Sequence, residues 1–282
     1  MLLTGGFMVV EVVAGLMTGS LALLADAGHM LTDFGALALA WFAFRVARRP
    51  ADPRRSYGWH RVEVLAAFVN GLALFAVAIG IVIAGFERLA DPVAVLGGPM
   101  LVVAALGLLV NLAALVILHR GPRENLNLRG ASLHVMGDLL GSVAAMAAAG
   151  VILATGWTPV DPILSVLVAL LVLRSAWRIV RSSGHILLEG TPEGMESDRI
   201  GAAVASLPGV TDVHHVHAWS LTGGRHVLTL HAVVDDGIDQ NAVLAAIGAL
   251  LEERFGIDHS TIQLERGGCA TPQAGASRGP RG

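Results

Sequence analysis

Two histidine–aspartate pairs carry the chemistry this sequence suggests. His29 and Asp33 lie in LLADAGHMLTDFGALALAWFAF, and His134 and Asp138 lie in LHVMGDLLGS. Each pair is spaced i, i+4, which on a helix puts both side chains on one face. Asp26 shares an arc of about 60° with His29 and Asp33 at about 100° per residue. All five sit in stretches oily enough to cross a bilayer. An ionised Asp at a membrane centre costs about 2.5–3.5 kcal/mol on insertion scales, so their presence needs a compensating interaction.

A divalent cation supplies it. Two imidazole nitrogens and two carboxylates make a tetrahedral donor set that suits Zn²⁺. Two carboxylates, two neutral imidazoles and one M²⁺ sum to zero charge. When the metal leaves, protons can neutralise the same groups, because the ligands must deprotonate to coordinate. A site that empties into one compartment and protonates there is a metal/proton exchanger in outline. The bland alternative is that a membrane histidine is an interhelical hydrogen-bond partner. Two such pairs in two different spans weigh against it. Of the eleven histidines in the chain, these two alone lie deep in a span. Asp26 has no matching partner in the second motif and is read as a neighbouring residue.

The elements that must position these residues follow from composition. The chain has 282 residues, 54% hydrophobic and 15% charged, with a mean hydropathy of +0.67. Soluble domains are about 25% charged, so this is a membrane protein. Net charge is −3, which gives no global basic field for nucleic acid. The single Cys269 excludes a disulfide framework and a cysteine zinc site. Six apolar segments read as spans, at about 2–18, 21–44, 62–85, 97–118, 131–153 and 159–179. Arg45, Arg48, Arg49, Arg54, Arg55 and Arg61 load one loop, and Arg120, Arg123 and Arg129 another. The loops on the other side carry Arg88 alone. The positive-inside rule then places both termini in the cytoplasm. Asn70, Asn111, Ser132 and Ser142 read as interhelical hydrogen-bonders. Glu11 is a further in-span acid, for proton handling or for structure.

The expected organisation is a six-helix transmembrane domain over 1–181, a linker over 182–194, a cytoplasmic domain over 195–266 and a disordered Gly/Ser/Pro/Arg tail over 267–282. The order in the cytoplasmic part reads αββαβ: a helix in MESDRIGAAVASL, strands in GVTDVHHVHAWSL and RHVLTLHAVVD around TGG, a helix in DQNAVLAAIGALLEERFG and a last strand in HSTIQLER. That order suits a small α+β sandwich with helices on one side of the sheet. Alternation along a strand predicts that His215 and His217 point together and His214 points opposite.

The stretches GSLALLADAGHMLTDFGALALA, YGWHRVEVLAAFVNG, LRGASLHVMGDLLGSV, VHHVHAWSL and HSTIQLE resemble the cation diffusion facilitator family, its zinc-transporting branch above all. The resemblance runs from about Phe7 to Glu265. It implies six transmembrane helices, a metallochaperone-like cytoplasmic domain, and homodimers in the cell membrane that exchange cytoplasmic Zn²⁺ for protons by alternating access. It implies that His29, Asp33, His134 and Asp138 are the transport-site ligands. By the same resemblance His214, His231 and Glu265 match a cytoplasmic metal site, and His60 with His259 an interfacial one. The alternatives are strand-face histidines with ordinary polar partners, and a His60 that contacts lipid headgroups. Zn²⁺ is then substrate and also a structural or regulatory ion, with Cd²⁺ or Co²⁺ as side substrates. The histidine-rich tracts of many relatives are missing, since HRGPRENLN holds only His119.

Two other functions are weighed. An intramembrane metallohydrolase would want H-E-x-x-H and an open coordination position, and neither is suggested, so the chain is read as a transporter and not an enzyme. A metal sensor or a channel without proton coupling would use the cytoplasmic histidines or the membrane site alone.

Overall fold

The computed structural model describes residues 2–119 and 126–267. His29, Asp33, Ser132, His134 and Asp138 fall within described helices, but their side chains lie outside the described residues, and so does the tail from 268 onward.

Six long helices come first: α1 (Leu2–Thr18), α2 (Leu21–Ala47), α3 (Arg61–Ala90), α4 (Gly97–His119), α5 (Leu126–Thr155) and α6 (Val160–Leu187). They match the six expected spans and run past them at several ends. Flanking polar residues remain helical because backbone hydrogen bonds stay satisfied within a helix whatever solvent the side chains meet. Within α3 and α6 the best windows reach mean hydropathies of 2.4 and 2.0. Outward faces of α1, α3 and α6 are apolar: Met17 on α1 is 74% exposed, Leu171 on α6 65% and Phe86 on α3 62%. Exposed apolar surface on this scale belongs against lipid.

Small residues bring these helices together. Met100 and Ala104 of α4 pack with Ala145, Ala148, Ala149 and Ile152 of α5. Asn111 Nδ2 donates to Ser142 Oγ across the same pair at 3.4 Å, as expected of polar span residues. On α3, a β-carbon at Gly71 would stand 3.0 Å from side-chain atoms of Ile179 and Val180 on α6. One turn on, the rings of Phe75 and Trp177 pack 6.2 Å apart.

The start of α2 is held from far along the chain. Asp161, in the first turn of α6, is fully buried. Its carboxylate accepts from the Ser20 hydroxyl at 2.8 Å, the Leu21 amide at 2.7 Å and the Ala22 amide at 3.2 Å. Those amides belong to the unsatisfied first turn of α2, where negative charge is also favoured by the helix dipole. Arg88 Nη1 lies 3.9 Å from the same carboxylate and donates to the Gly19 carbonyl.

The C-terminal part follows the expected αββαβ order. Helix α7 (Ser197–Ala205), strands β1 (Val210–Thr222) and β2 (Arg225–Val234), helix α8 (Gln240–Phe255) and strand β3 (His259–Glu265) form a sheet of order β1-β2-β3. β1 and β2 are antiparallel around Gly223-Gly224, and β3 runs parallel to β2 after the α8 crossover. Asp239 caps α8 by accepting from the Asn241 amide, and Gly256 ends it in the left-handed conformation. Ile200, Val204, Leu228, Leu230, Ile247 and Leu251 form the core between helices and sheet. That leaves Thr229, His231 and Val233 on the other, open face, only partly covered.

The chain divides into two compact units. One comprises 1–43 and 66–181; the other comprises 44–65 and 182–282. The segment joining α2 to α3 therefore folds with the C-terminal part.

Candidate metal sites

In the first unit the helices fix which faces meet. His29 and Asp33 lie on α2, and His134 and Asp138 on α5. The backbone of α5 comes close to α2 at Gly141. A β-carbon built there would stand 3.1 Å from Asp26 Oδ1. Asp26 is buried, 9% exposed. Asp26 shares the α2 face of His29 and Asp33, while Gly141 follows Asp138 by three residues and His134 by seven, again on one face. The contact thus lies three residues from His29 along α2 and three from Asp138 along α5.

In the second unit a cluster of titratable groups stands on the open face of the sheet. His214 pairs with His231 across β1 and β2, and Val233 pairs with Glu265 across β2 and β3. Residues paired across strands share a face, so His214, His231 and Glu265 converge there. His214 Nε2 lies 3.2 Å from Glu265 Oε2, and His231 Nδ1 3.1 Å from Glu265 Oε1. The His214–Glu265 approach is shielded from solvent yet lacks hydrogen-bonding geometry. Asp212 Oδ2 sits 2.8 Å from His214 Nδ1. A carboxylate on Nδ1 holds the proton there and leaves the Nε2 lone pair for a metal.

The alternation expected along β1 does not hold. The register pairs His214 with His231 but His217 with Thr229, so β1 spends one residue more than β2 between them. This is a β-bulge, and His215 takes the left-handed conformation within it, at φ 51°. His214 and His217 consequently share the face of His231 and Thr229, the reverse of strict alternation. The bulge also swings the His215 ring into the cluster, with centroids 4.9 Å from His231 and 5.2 Å from His214. Ligating atoms of His214, His215 and His231 all lie within 4.8 Å of one another. Sequence reasoning missed His215. Its one signal was three histidines within four residues of a strand, too many for one face of a regular pleat.

His60 and His259 line one cleft of the second unit. Arg225 Nη1 lies 3.1 Å from His60 Nε2, and the Tyr57 ring meets His259 edge-on at 5.7 Å. A guanidinium only donates, so it occupies the lone pair that a metal would need at His60.

Comparison with known proteins bears on both units. A family described as the cation efflux transmembrane domain matches residues 1–188, and one described as the cation efflux protein cytoplasmic domain matches 192–267. The zinc transporter ZitB of Escherichia coli (strain K12) is 49% identical over 281 residues, covering 99% of this chain and 90% of that protein. The metal cation efflux system protein CzcD of Cupriavidus metallidurans is 44% identical over 273 residues, covering 96% and 86%. A cadmium, cobalt and zinc/H(+)-K(+) antiporter of Bacillus subtilis is 42% identical over 265 residues, covering 92% and 85%.

Proposed function

The chain belongs to the cation efflux family, the cation diffusion facilitators, and from that premise we propose that it exports Zn²⁺ from the cytoplasm across the cell membrane in exchange for protons. Cd²⁺ and Co²⁺ are its side substrates, as the names of the Bacillus subtilis relative and its donor set favour. Both termini face the cytoplasm, on the arginine asymmetry of the loops. Transport and not bond cleavage is its task.

The observation that carries this reading is the contact of Asp26 with Gly141. Three chain reversals separate α2 from α5, so as consecutive spans the two run antiparallel. From Asp26, three residues along α2 reach His29, about 4.5 Å away along the axis. From Gly141, three residues back along α5 reach Asp138, the same distance in the same direction. Seven residues, about 10.5 Å, reach Asp33 on α2 and His134 on α5. On this reading His29 is level with Asp138 and Asp33 with His134. One ion between the helices takes four ligands from two levels one turn apart. Its positive charge cancels the two carboxylates, and two protons replace it when it leaves. Alternating access needs the site to open to one side at a time, by rocking α2 and α5 against the rest of the bundle.

The cytoplasmic cluster is a second zinc site. His214, His231 and Glu265 are its ligands, His215 is a fourth donor, and Asp212 orients His214. Four donors of this type close a structural coordination sphere, which suits regulation or stabilisation of a homodimer better than catalysis.

Simultaneous recording of internal zinc and pH in reconstituted vesicles tests the exchange. Wild type moves zinc against a proton gradient with matching proton counterflow, and Asp138→Ala does neither. Zinc current without proton movement would identify a channel. Undiminished transport by Asp138→Ala would remove the central site.

A further inference from the structure

The cleft that holds His60 and His259 has the wrong chemistry for a cation. It measures about 670 Å³ and lies within the second unit, between the start of the α2–α3 segment and the β1–β2 turn with the head of β3. Arg48, Arg49 and Arg225 line it together with His60, His259 and Tyr57, and no carboxylate lines it. Two acids of this region are engaged elsewhere. Asp52 accepts from the Arg54 and Arg55 amides and pairs with the Arg55 guanidinium, and Glu189 pairs with Arg61. Among the described residues Arg48, Arg49 and Arg225 have no carboxylate partner. Three like charges gathered in one concavity repel each other, and an anion relieves them. Guanidinium forks match phosphate oxygens in bidentate fashion. The volume falls in the range of about 300–1,000 Å³ usual for small-ligand sites.

We propose that this cleft binds a phosphate group, either the headgroup of an anionic phospholipid or phosphate free in solution. Its wall begins at Ala47, the last residue of α2. Tyr57 lines it, Arg48 of the lining lies over the Phe44 ring at 5.2 Å, and in the same segment Arg55 lies over Trp59 at 3.6 Å. Aromatic side chains beside arginines at the end of a spanning helix are the pattern of the headgroup layer. The site is independent of the transport ligands, so its failure would leave the exchange mechanism untouched.

The test is native mass spectrometry of the purified full-length protein, titrated separately with phosphatidylglycerol, phosphatidylcholine and inorganic phosphate. Wild type binds phosphatidylglycerol or inorganic phosphate at least tenfold more tightly than phosphatidylcholine, and Arg48→Gln/Arg49→Gln/Arg225→Gln loses that preference. Arg225→Gln alone weakens it, while Arg54→Gln, outside the lining, keeps it and controls for folding. Preference for the lipid alone assigns the headgroup as the source, and preference for inorganic phosphate assigns the solute. Equal binding in wild type and the triple variant overturns the proposal. So does zinc bound at the cleft and lost in His60→Ala and His259→Ala, with no phosphate preference.

Discussion

Asp26 Oδ1 lies 3.1 Å from the point where Gly141 would carry a β-carbon, so a side chain added there presses on that carboxylate. The proposed transport site rests on that closeness. Gly141→Ala meets a carboxylate that can give a few tenths of an ångström, so zinc flux falls only a few-fold. Gly141→Val adds two methyl groups against the Asp26 carboxylate and cuts flux by about tenfold or more through overpacking. Zinc uptake into proteoliposomes, with melting curves to confirm folding, checks both.

Asp161 holds the first turn of α2 and lies next to Arg88. Asp161→Ala leaves the Ser20 hydroxyl and two amides unsatisfied in a buried place and costs about 2–3 kcal/mol. Asp161→Asn keeps one acceptor oxygen and costs less. Thermal unfolding in detergent ranks wild type, Asn and Ala in that order.

His215 enters the cytoplasmic cluster through the bulge. His215→Ala lowers zinc affinity at this site by about tenfold or more, comparable to loss of a supporting metal contact. His226→Ala has no effect, because His226 bonds Ser220 Oγ at 3.0 Å. Zinc titration calorimetry on the full chain distinguishes the two.

The α2–α3 segment responds to pH in a defined direction. The backbone N–H of Arg54, and after it the amide and charge of Arg55, hold the Asp52 carboxyl below its ordinary value of 3.8. A depressed carboxyl contributes order that is present above its unfolded pKa and lost as pH falls through the lower folded one. The Arg54 and Arg55 amides therefore stay protected from hydrogen exchange down to pH 4. Asp52→Ala, which removes the acceptor, exposes them already at neutral pH.

The parts legible in sequence were those set by local pattern. Apolar windows marked the six helices, and the helix and strand patterns around the turn at Gly223-Gly224 marked the small domain. What was not legible depended on partners distant in the chain. Nothing near Ser20 announces that Asp161 caps α2 from 140 residues away. Alternation misplaced His214 relative to His217 because a bulge adds a residue without a strong side-chain signature. The six arginines from Arg45 to Arg61 read as a cytoplasmic marker. Their concavity emerged only when the segment folded against Arg225 and His259.

Anomalous scattering at the zinc edge from zinc-soaked crystals of the full chain reaches the central claim most directly. A strong peak between α2 and α5, about 7.5 Å along the axis from the Asp26–Gly141 contact and about 2.0–2.2 Å from His29, Asp33, His134 and Asp138, is the predicted result. Zinc-loaded crystals with peaks on the sheet of the second unit and none between these helices would contradict it.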